Sequence, residues 1–504
     1  MTENSKNIEV DADSSYNHVL KYTGLFGGVQ GLTMLVSLVR NKISSELLGP
    51  SGLALVNLFT NAIKLTNQAT NFGISFSAVK YVAELNAVED EKKRNDVVFA
   101  VRLWSLLLGL LGTLSMLILC NVISMFTFQS YEYSWSFALL SPIVTMMAVQ
   151  TGEIAILKGL KCLKSVVLVS VFGALLVLLV CVPIYFVWRQ DGIVFALLAS
   201  HAFLLAVTLY YSQKVMPWKW SLFSSAYLAA GRPILILGLG YLIAGIFGQG
   251  AEYVIRTLIF HFGSLDDVGL YGAGYTLAVT YAGMVFVAIE ADFFPRLSAA
   301  NNGVVQRNAI INQQIEVCVL FIAPVLILFV LAMPILVPML YSNKFVEAIP
   351  MAICATGYMF FKSLTLPVAY LPLAKGDSKM YMFTELIYDI FIALVIPQAF
   401  RLWGLPGAGW ALTAAGLFDF IIIHGTYRYK YGFRFDKSKV MLYVAQGVLF
   451  ALAVYSSLSE NLYVHWGAGV VSLCVSSYLT IRILRQETNV FEVISKKLGK
   501  KWKK

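Results

Sequence analysis

The chain has 504 residues, of which 58% are hydrophobic and 13% are charged, and its mean hydropathy is +0.73. Soluble globular domains are about 45–50% apolar and about 25% charged, so this composition excludes a soluble protein. The formal net charge of +10 is compatible with a nucleic-acid partner, but basic loops are the ordinary orienting signal of membrane proteins, and the hydropathy favours that explanation.

Long apolar runs recur from Leu20 to Ile483, and they have the length of about 20 residues that an α-helix needs to cross a bilayer. Unbroken runs of this kind exclude a transmembrane β-barrel, whose strands alternate over segments of about 10 residues. The sequence therefore predicts an all-α polytopic membrane protein with 14 transmembrane helices. The predicted spans are, in chain order, residues 19–42, 52–74, 98–126, 134–157, 165–188, 192–212, 233–258, 269–293, 312–340, 349–373, 380–400, 406–425, 440–457 and 466–484.

The polar N-terminal stretch, MTENSKNIEVDADSSYNH, has neither the basic nor the apolar region of a signal peptide, so we interpret it as a cytosolic tail. The spans that follow are expected to form two lobes of six helices each, with two further helices after them. The predicted organisation is a tail at 1–18, an N-lobe at 19–212, a cytosolic linker at 213–232, a C-lobe at 233–425, helices 13 and 14 at 440–484, and a basic cytosolic tail at 485–504.

Lysine and arginine are distributed unevenly between the two ends of the predicted helices. Most of the 38 basic residues lie in the two terminal tails and in alternate loops. Because cytosolic loops carry the excess of positive charge, this pattern places both termini in the cytosol. The loops are short, so no soluble catalytic domain is expected, and the C-terminal KKLGKKWKK is interpreted as a contact to anionic lipid.

Two lysines fall in the middle of predicted spans, where an ionisable group costs about 2.5–3.5 kcal/mol on insertion scales. Lys64 lies roughly 18 Å along helix 2, beyond the middle of a bilayer core of about 30 Å. Lys362 occupies a comparable place in helix 10. Two explanations stay open for these lysines: a water-filled cavity, or a buried salt bridge to a carboxylate such as Glu153 or Glu290.

Polar residues accompany the cations at steps of three and four, which places them on one face of each helix. Such a face indicates either a polar cavity or hydrogen bonds between helices. Lys42 and Glu46, also four residues apart, are expected to form an interfacial ion pair. The residues predicted to line a cavity are Gln30, Thr33, Ser37 and Arg40 in helix 1, Asn57, Asn61, Lys64, Asn67 and Gln68 in helix 2, Gln249, Glu252 and Arg256 in helix 7, and Lys362 in helix 10.

Cations in a cavity favour an anionic substrate, and phosphate in particular, because lysine binds it as a point charge and arginine as a bidentate clamp. Acidic residues within the spans are candidates for neutralising these cations or for carrying a coupling ion, H⁺ or Na⁺. No cofactor or metal is expected, because the cysteines and histidines show no metal-ligand spacing. The acidic candidates are Glu153, Glu290, Glu385, Asp389 and Asp419.

A weak internal repeat links the two halves of the chain. VRNKISSELLGPSGLALV at 39–56 resembles IRTLIFHFGSLDDVGLYG at 255–272, since in each segment an arginine ends a span and a glycine-containing turn leads to Gly-Leu. An even number of spans separates the two copies, so the predicted repeat is parallel, with a pseudo-twofold axis along the membrane normal.

Three segments carry a resemblance to a known family. LLGPSGLALVNLF opens helix 2, DDVGLYGAGYTLA opens helix 8 and FFPRLSAANN closes it, and together they resemble the polysaccharide-transporter branch of the multidrug/oligosaccharidyl-lipid/polysaccharide flippase superfamily. The resemblance implies alternating access by two lobes around a cationic cavity. The implied activity is the movement of undecaprenyl-diphosphate-linked oligosaccharide across the bacterial inner membrane, for O-antigen, capsule or exopolysaccharide. By similarity, Arg40 and Arg256 have charged counterparts that line the cavity in relatives.

The same resemblance implies a monomeric transporter, not an enzyme, with a polysaccharide polymerase and chain-length machinery as expected protein partners and no nucleic acid. Two alternatives stay open. A drug or small-cation antiporter of the same fold would need an acidic cavity, and a membrane polymerase or glycosyltransferase would need a larger outer loop. The histidines, among them His201 and His424 in apolar segments, are interpreted as structural.

Overall fold

A computed structural model of the chain describes residues 3–88, 90–218, 225–300, 303–459 and 461–487. Within these ranges the regular structure is helical and contains no strand, so the predicted all-α class is confirmed. Residues 219–224 of the predicted inter-lobe linker and residues 488–504 of the basic C-terminal tail lie outside the described residues.

The α-helices account for nearly all of the described chain, and they are numbered here in chain order. They are α1 (Glu3–Thr70), α2 (Ile74–Ala87), α3 (Glu91–Phe128), α4 (Ser134–Leu140), α5 (Pro142–Gly159), α6 (Leu163–Trp188), α7 (Ile193–Val215), α8 (Ser225–Phe262), α9 (Leu265–Tyr275), α10 (Ala282–Ala299), α11 (Val304–Leu340), α12 (Ile349–Ala355), α13 (Gly357–Ala374), α14 (Ser378–Tyr431), α15 (Lys437–Ser457) and α16 (Leu462–Glu487).

Eight helical stretches of the described residues are long and apolar enough to cross a membrane, or nine when the bent pair Tyr227–Leu239 and Leu242–Phe262 counts as one span. Two of the eight, Leu163–Val215 and Ser378–Tyr431, contain 53 and 54 residues. At 1.5 Å per residue, each of these stretches is long enough for two crossings of a core of about 30 Å. The multi-pass membrane class is therefore confirmed, whereas the number of 14 spans stays a prediction.

The chain forms two compact units, Met1–His261 and Phe262–Lys504, which we call the first and the second unit. In the first unit, buried apolar side chains of α2, α3, α5 and α8 form one cluster. Its fully buried members include Ile74, Val98 and Ile156. The lobe boundaries given by the sequence stay predictions.

Glycines in the left-handed region break the two longest helices. Gly49 in α1 has φ 69° and is followed by Pro50, and Gly404 in α14 has φ 65° with Pro406 two residues later. Glycine adopts this conformation without a Cβ clash, and proline cannot donate the hydrogen bond that would continue a helix. Each long helix is therefore two helices joined at a kink, which agrees with the predicted turns between spans 1 and 2 and between spans 11 and 12.

A second break lies between α1 and α2. Phe72 has φ 47° and Gly73 has φ 62°, and Gly73 packs directly against the backbone of Gly238 in α8. A side chain at either glycine would overlap the facing backbone. The contact coincides with the 56° bend between Tyr227–Leu239 and Leu242–Phe262, so two helix breaks of the first unit meet at one glycine pair.

In the second unit, α9 begins with a capping box. Asp267 N–H donates to Ser264 Oγ at 3.2 Å, and Ser264 N–H donates to Asp267 Oδ2 at 2.9 Å. Further along the unit, α11 buries one continuous face that includes Ile315, Ile322 and Leu326. The DDVGLYG segment singled out in the sequence is therefore the first turns of a well-capped helix.

Candidate functional site

A cavity of about 340 Å³ opens within the first unit, between both parts of α1 and the helices α6 and α7. The kink at Gly49 brings Arg40, from the first part of α1, to the same cavity as Asn57 and Thr60 from its second part. The polar and titratable residues that line the cavity include Arg40, Asn41, Asn57, Thr60, Tyr185 and His201.

Arg40 is the one permanently charged side chain among the described residues that line this cavity, and no carboxylate lines it with Arg40. The nearby Glu46 is already paired with Lys42 at 2.7 Å on the exposed side of the helix, as the sequence predicts. The Arg40 charge acts electrostatically on Tyr185 across the cavity. The cavity is therefore a positively charged, hydrogen-bonding chamber.

Lys64 lies on the second part of α1, beyond the residues that line the cavity. Its side chain is exposed, and it forms no ion pair among the described residues. Its charge nevertheless acts on His201, which lines the cavity from α7. Glu153, one of the two carboxylates considered as a partner for Lys64, is bound elsewhere.

The remaining polar residues of α1 have mixed surroundings. Thr33 Oγ1 donates to Val29 O at 3.0 Å within its own helix, and Asn67 Nδ2 donates to Val144 O at 3.2 Å, between two helices. Asn61 is buried. Ser37 is half-buried, and Gln68 packs against Gly245 of α8. The side chain of Gln30 lies outside the described residues.

Arg256 lies on α8, in the first unit. Its Nη2 donates to Glu252 Oε2 at 3.3 Å, one helical turn earlier, and Arg256 is 8% exposed. Gln249, one turn further back, is half-buried. Arg256 thus differs from Arg40 in having a carboxylate beside it.

A fully buried ion pair joins Arg102 of α3 to Glu153 of α5. Arg102 donates through Nε to Glu153 Oε1 at 2.8 Å and through Nη2 to Oε2 at 3.1 Å, and the two side chains are 0% and 1% exposed. Trp218 Nε1 donates to the same carboxylate at 3.1 Å, and Arg102 also donates to Met216 O at 2.7 Å. Sequence reasoning missed this pair, because nothing in the sequence shows that α3 and α5 are neighbours.

The second unit contains a different group of charges, on α13 and the two parts of α14. Lys362 Nζ lies 3.6 Å from Asp419 Oδ2, and Glu385 interacts electrostatically with both. Asp389, four residues after Glu385, is buried. The side chain of Glu290 lies outside the described residues. Here the cation has acidic neighbours, whereas Arg40 has none in its cavity.

Outside the spans, the second unit is tied together by Asp377, which caps the start of α14. Lys430 Nζ donates to Asp377 Oδ2 at 2.7 Å, and Tyr431 Oη donates to the same atom at 2.6 Å. These two bonds, that of Lys430 first, lower the pKa of Asp377 to about 2. Arg307, buried at the start of α11, donates to Tyr431 O at 2.7 Å and so caps the end of α14.

No group of three potential metal ligands occurs among the side chains that the structure describes. The described residues therefore offer two ionic sites. The first unit contains the cationic cavity with Arg40, and the second unit contains Lys362 paired with Asp419. Both fit the binding of ions or polar groups.

Solved structures of three transporters share this fold. The chain matches the lipid II flippase MurJ in its inward closed conformation with a TM-score of 0.67 and 12% identity, over 91% of this chain and 99% of that one. A multidrug resistance MATE family transporter of the MOP superfamily gives 0.63 and 16%, over 79% and 94%. A MOP superfamily transporter from Pyrococcus furiosus, described as having a binding pocket of reverse polarity, gives 0.55 and 16%, over 82% and 94%. The fold is therefore that of MOP-superfamily transporters.

A family model described as polysaccharide biosynthesis protein matches residues 19–301, more than half of the chain. The chain belongs to that family. No curated protein matches it significantly. The resemblance stated from the sequence is thus confirmed for the polysaccharide biosynthesis family and for the fold that these transporters share.

Proposed function

We propose that this chain is a flippase that moves undecaprenyl-diphosphate-linked oligosaccharide repeat units across the bacterial inner membrane by alternating access. The observation that supports the proposal most is the cavity of the first unit, in which Arg40 has no carboxylate among its described lining residues. A buried or half-buried cation without a counter-charge is costly, and an anionic ligand removes that cost. The diphosphate of a lipid-linked sugar supplies such an anion.

In this proposal the side chains have separate tasks. Arg40 and Lys64 of the first unit, with Arg256 of α8, attract and hold the diphosphate, since guanidinium and ammonium groups bind phosphate by charge-assisted hydrogen bonds. Asn57 and Thr60 bind polar groups next to it. The prenyl chain stays in the lipid, because transferring it into a polar cavity would be unfavourable. No bond is made or broken.

Lys362 and the carboxylates near it are proposed to carry the coupling ion or to compensate its charge. A carboxylate paired with a lysine takes up a proton or cation when the lysine moves away from it, because its negative charge is then uncompensated. We assign this role first to Glu385 and Asp419, and keep Glu290 and Asp389 as further candidates. Glu153 is assigned charge compensation for Arg102, given the geometry of that pair.

The proposed setting is the bacterial inner membrane, with both termini in the cytosol and the protein acting as a monomer beside a polysaccharide polymerase and its chain-length machinery. O-antigen, capsule and exopolysaccharide repeat units all fit the proposal. The second candidate function is drug or cation export, which the likeness to multidrug MATE transporters favours. The positive charge of the first-unit cavity favours an anion instead.

Transport measured in proteoliposomes tests the proposal. We expect the purified chain to move a short-chain prenyl-diphosphate-linked oligosaccharide across the bilayer, and Arg40→Ala to slow the initial rate by about tenfold or more, since charge-assisted hydrogen bonds contribute about 1.5–3 kcal/mol. Lys42→Ala is the matched control, because Lys42 lies two residues away and is paired with Glu46.

The control variant should keep the wild-type rate within about twofold, as expected of an exposed ion pair. If wild-type protein moves no prenyl-diphosphate substrate but exports organic cations, the drug-export alternative replaces the proposal. If Arg40→Ala and Lys42→Ala transport equally well, the cavity of the first unit is not the substrate site.

A further inference from the structure

His201 is the titratable imidazole among the residues that line the cationic cavity of the first unit. It lies on α7, and its Nδ1 is 2.9 Å from Leu197 O, one turn earlier. A carbonyl oxygen only accepts hydrogen bonds, so Nδ1 carries the hydrogen. In the neutral ring the lone pair is therefore on Nε2, the atom that is free to accept a proton or a hydrogen bond.

His424, in the second unit, makes the same local bond in a different environment. Its Nδ1 donates to Phe420 O at 2.8 Å. Its ring stacks on Phe435 with centroids 4.5 Å apart and meets Phe433 at 5.6 Å. Its Nε2 is buried with no hydrogen-bond partner among the described residues. His424 is thus sealed by aromatic rings, whereas His201 lines a polar cavity.

The titratable and charged groups around His201 come from α1 and α6. Arg40 lines the cavity from α1, Lys64 on the same helix acts on the ring electrostatically, and α6 contributes the neutral groups of Tyr185 and Cys181. No carboxylate is present among the described lining residues. Positive charges placed side by side repel one another until an anion lies between them.

We propose that His201 is the proton-accepting group of this cavity, and that a diphosphate anion binds there together with one proton taken up at His201 Nε2. The inference rests on the proposed function and deepens it, because it names how the same site is regulated. A diphosphate esterified at both ends carries two negative charges. Among the lining residues, Arg40 supplies one positive charge and a protonated His201 supplies the second, while Lys64 and Arg256 attract the anion from outside the lining.

Proton uptake at His201 makes the affinity of the cavity for the diphosphate depend on pH. The proton moves from water to Nε2 when the anion arrives, and it returns to water when the anion leaves. Binding therefore tightens as the pH falls through the range in which imidazole titrates.

Equilibrium binding of geranyl methyl diphosphate to the purified full-length chain tests the inference. Both phosphates of this probe are esterified, so its charge is constant between about pH 6 and about pH 8, the range in which histidine titrates. We expect wild-type affinity to rise about tenfold from the upper to the lower pH, as one linked proton predicts. His201→Gln should lose this dependence, and His424→Gln, the matched control, should keep it.

Titration calorimetry in two buffers of different ionisation enthalpy should show about one proton fewer taken up by His201→Gln than by wild type. Unchanged pH dependence in His201→Gln, or wild-type affinity that does not vary with pH, would overturn the inference while leaving the proposed function standing. Wild-type protein that binds no probe at any pH would overturn the proposed function and the inference together.

A measurement on unmodified protein covers the case in which His201→Gln does not fold. The rate of hydrogen–deuterium exchange at the imidazole C2 position, followed by mass spectrometry, reports the protonation of each histidine separately. We expect the pH midpoint of exchange at His201 to rise when the probe is added, and that of His424 to stay constant. Equal behaviour of the two rings, with the probe bound, would contradict the inference.

Discussion

The cavity of the first unit and the charged group of the second unit use membrane-embedded cations in opposite ways. Arg40 lines a cavity of about 340 Å³ without a carboxylate among its described lining residues. Lys362 lies 3.6 Å from Asp419, with Glu385 also close. An uncompensated charge in an apolar medium is costly. The cavity around Arg40 is therefore suited to an anionic ligand, whereas the charge of Lys362 is already compensated by carboxylates of the protein. The difference separates a candidate substrate site from a candidate coupling site.

The largest loss of stability is expected at the fully buried ion pair of Arg102 and Glu153. Glu153→Gln removes the carboxylate from Arg102, whose side chain is 0% exposed, and leaves a buried guanidinium without its counter-charge. We expect a loss of about 3–5 kcal/mol in the free energy of unfolding, measured by thermal or denaturant unfolding in detergent.

The double variant Arg102→Met/Glu153→Leu should lose much less, because no charge is left unpaired. A loss in Glu153→Gln as small as that in the double variant would contradict this account. It would also remove the contrast with Arg40, for which we expect normal stability in Arg40→Ala.

A carboxylate introduced beside Arg40 should make the first unit resemble the second. Asn57 lines the same cavity, so Asn57→Asp provides an internal counter-charge. We expect the affinity for geranyl methyl diphosphate to fall by about tenfold to a hundredfold, since the anion now competes with the carboxylate and is repelled by it. Asn57→Ser, which adds no charge, should lose less than about threefold. Equal losses in the two variants would show that charge is not what the cavity recognises.

The reverse change removes an acid from the second unit. Asp419→Asn leaves Lys362 with Glu385 as its acidic neighbour, and Lys362 is 25% exposed, so the loss of stability should be about 1–2 kcal/mol, less than for Glu153→Gln. Binding of the diphosphate probe should be unchanged within about twofold. Transport driven by an ion gradient should fall more than binding does. A variant that loses binding instead would place the substrate in the second unit.

The smallest effect is expected at Asp377, outside the spans. Because its pKa is lowered to about 2 in the folded chain, the ionised carboxylate stabilises the fold above its ordinary pKa, and that stabilisation is lost as the pH falls through the folded value. The difference in unfolding temperature between wild type and Asp377→Asn should therefore shrink as the pH is lowered from about 5 towards about 2. If the difference in unfolding temperature stays constant over this range, the ion pair of Asp377 with Lys430 does not contribute to stability.

The sequence predicted those features that depend on one helix at a time. Hydropathy placed the spans on what are helices, and a periodicity of three and four put Arg40 and Asn57 among polar neighbours. Pairings between helices were not predictable, because they depend on which helices touch. Arg102 and Glu153 are 51 residues apart, and His201 and Arg40, which line one cavity, are further apart still, so neither relation leaves a local signal. His201 was interpreted as structural because it stands alone in an apolar segment, without the spacing of a catalytic triad or a metal site.

The most direct test of the central claim is to map where a prenyl diphosphate binds. A photoreactive prenyl methyl diphosphate is bound to the purified chain, crosslinked and located by mass spectrometry of the resulting peptides. The account predicts labelling of α1, α6 and α7 around Arg40 and His201, and loss of that labelling in Asn57→Asp. Labelling confined to α13 and α14 around Lys362, or labelling of α1 that persists unchanged in Asn57→Asp, would contradict it.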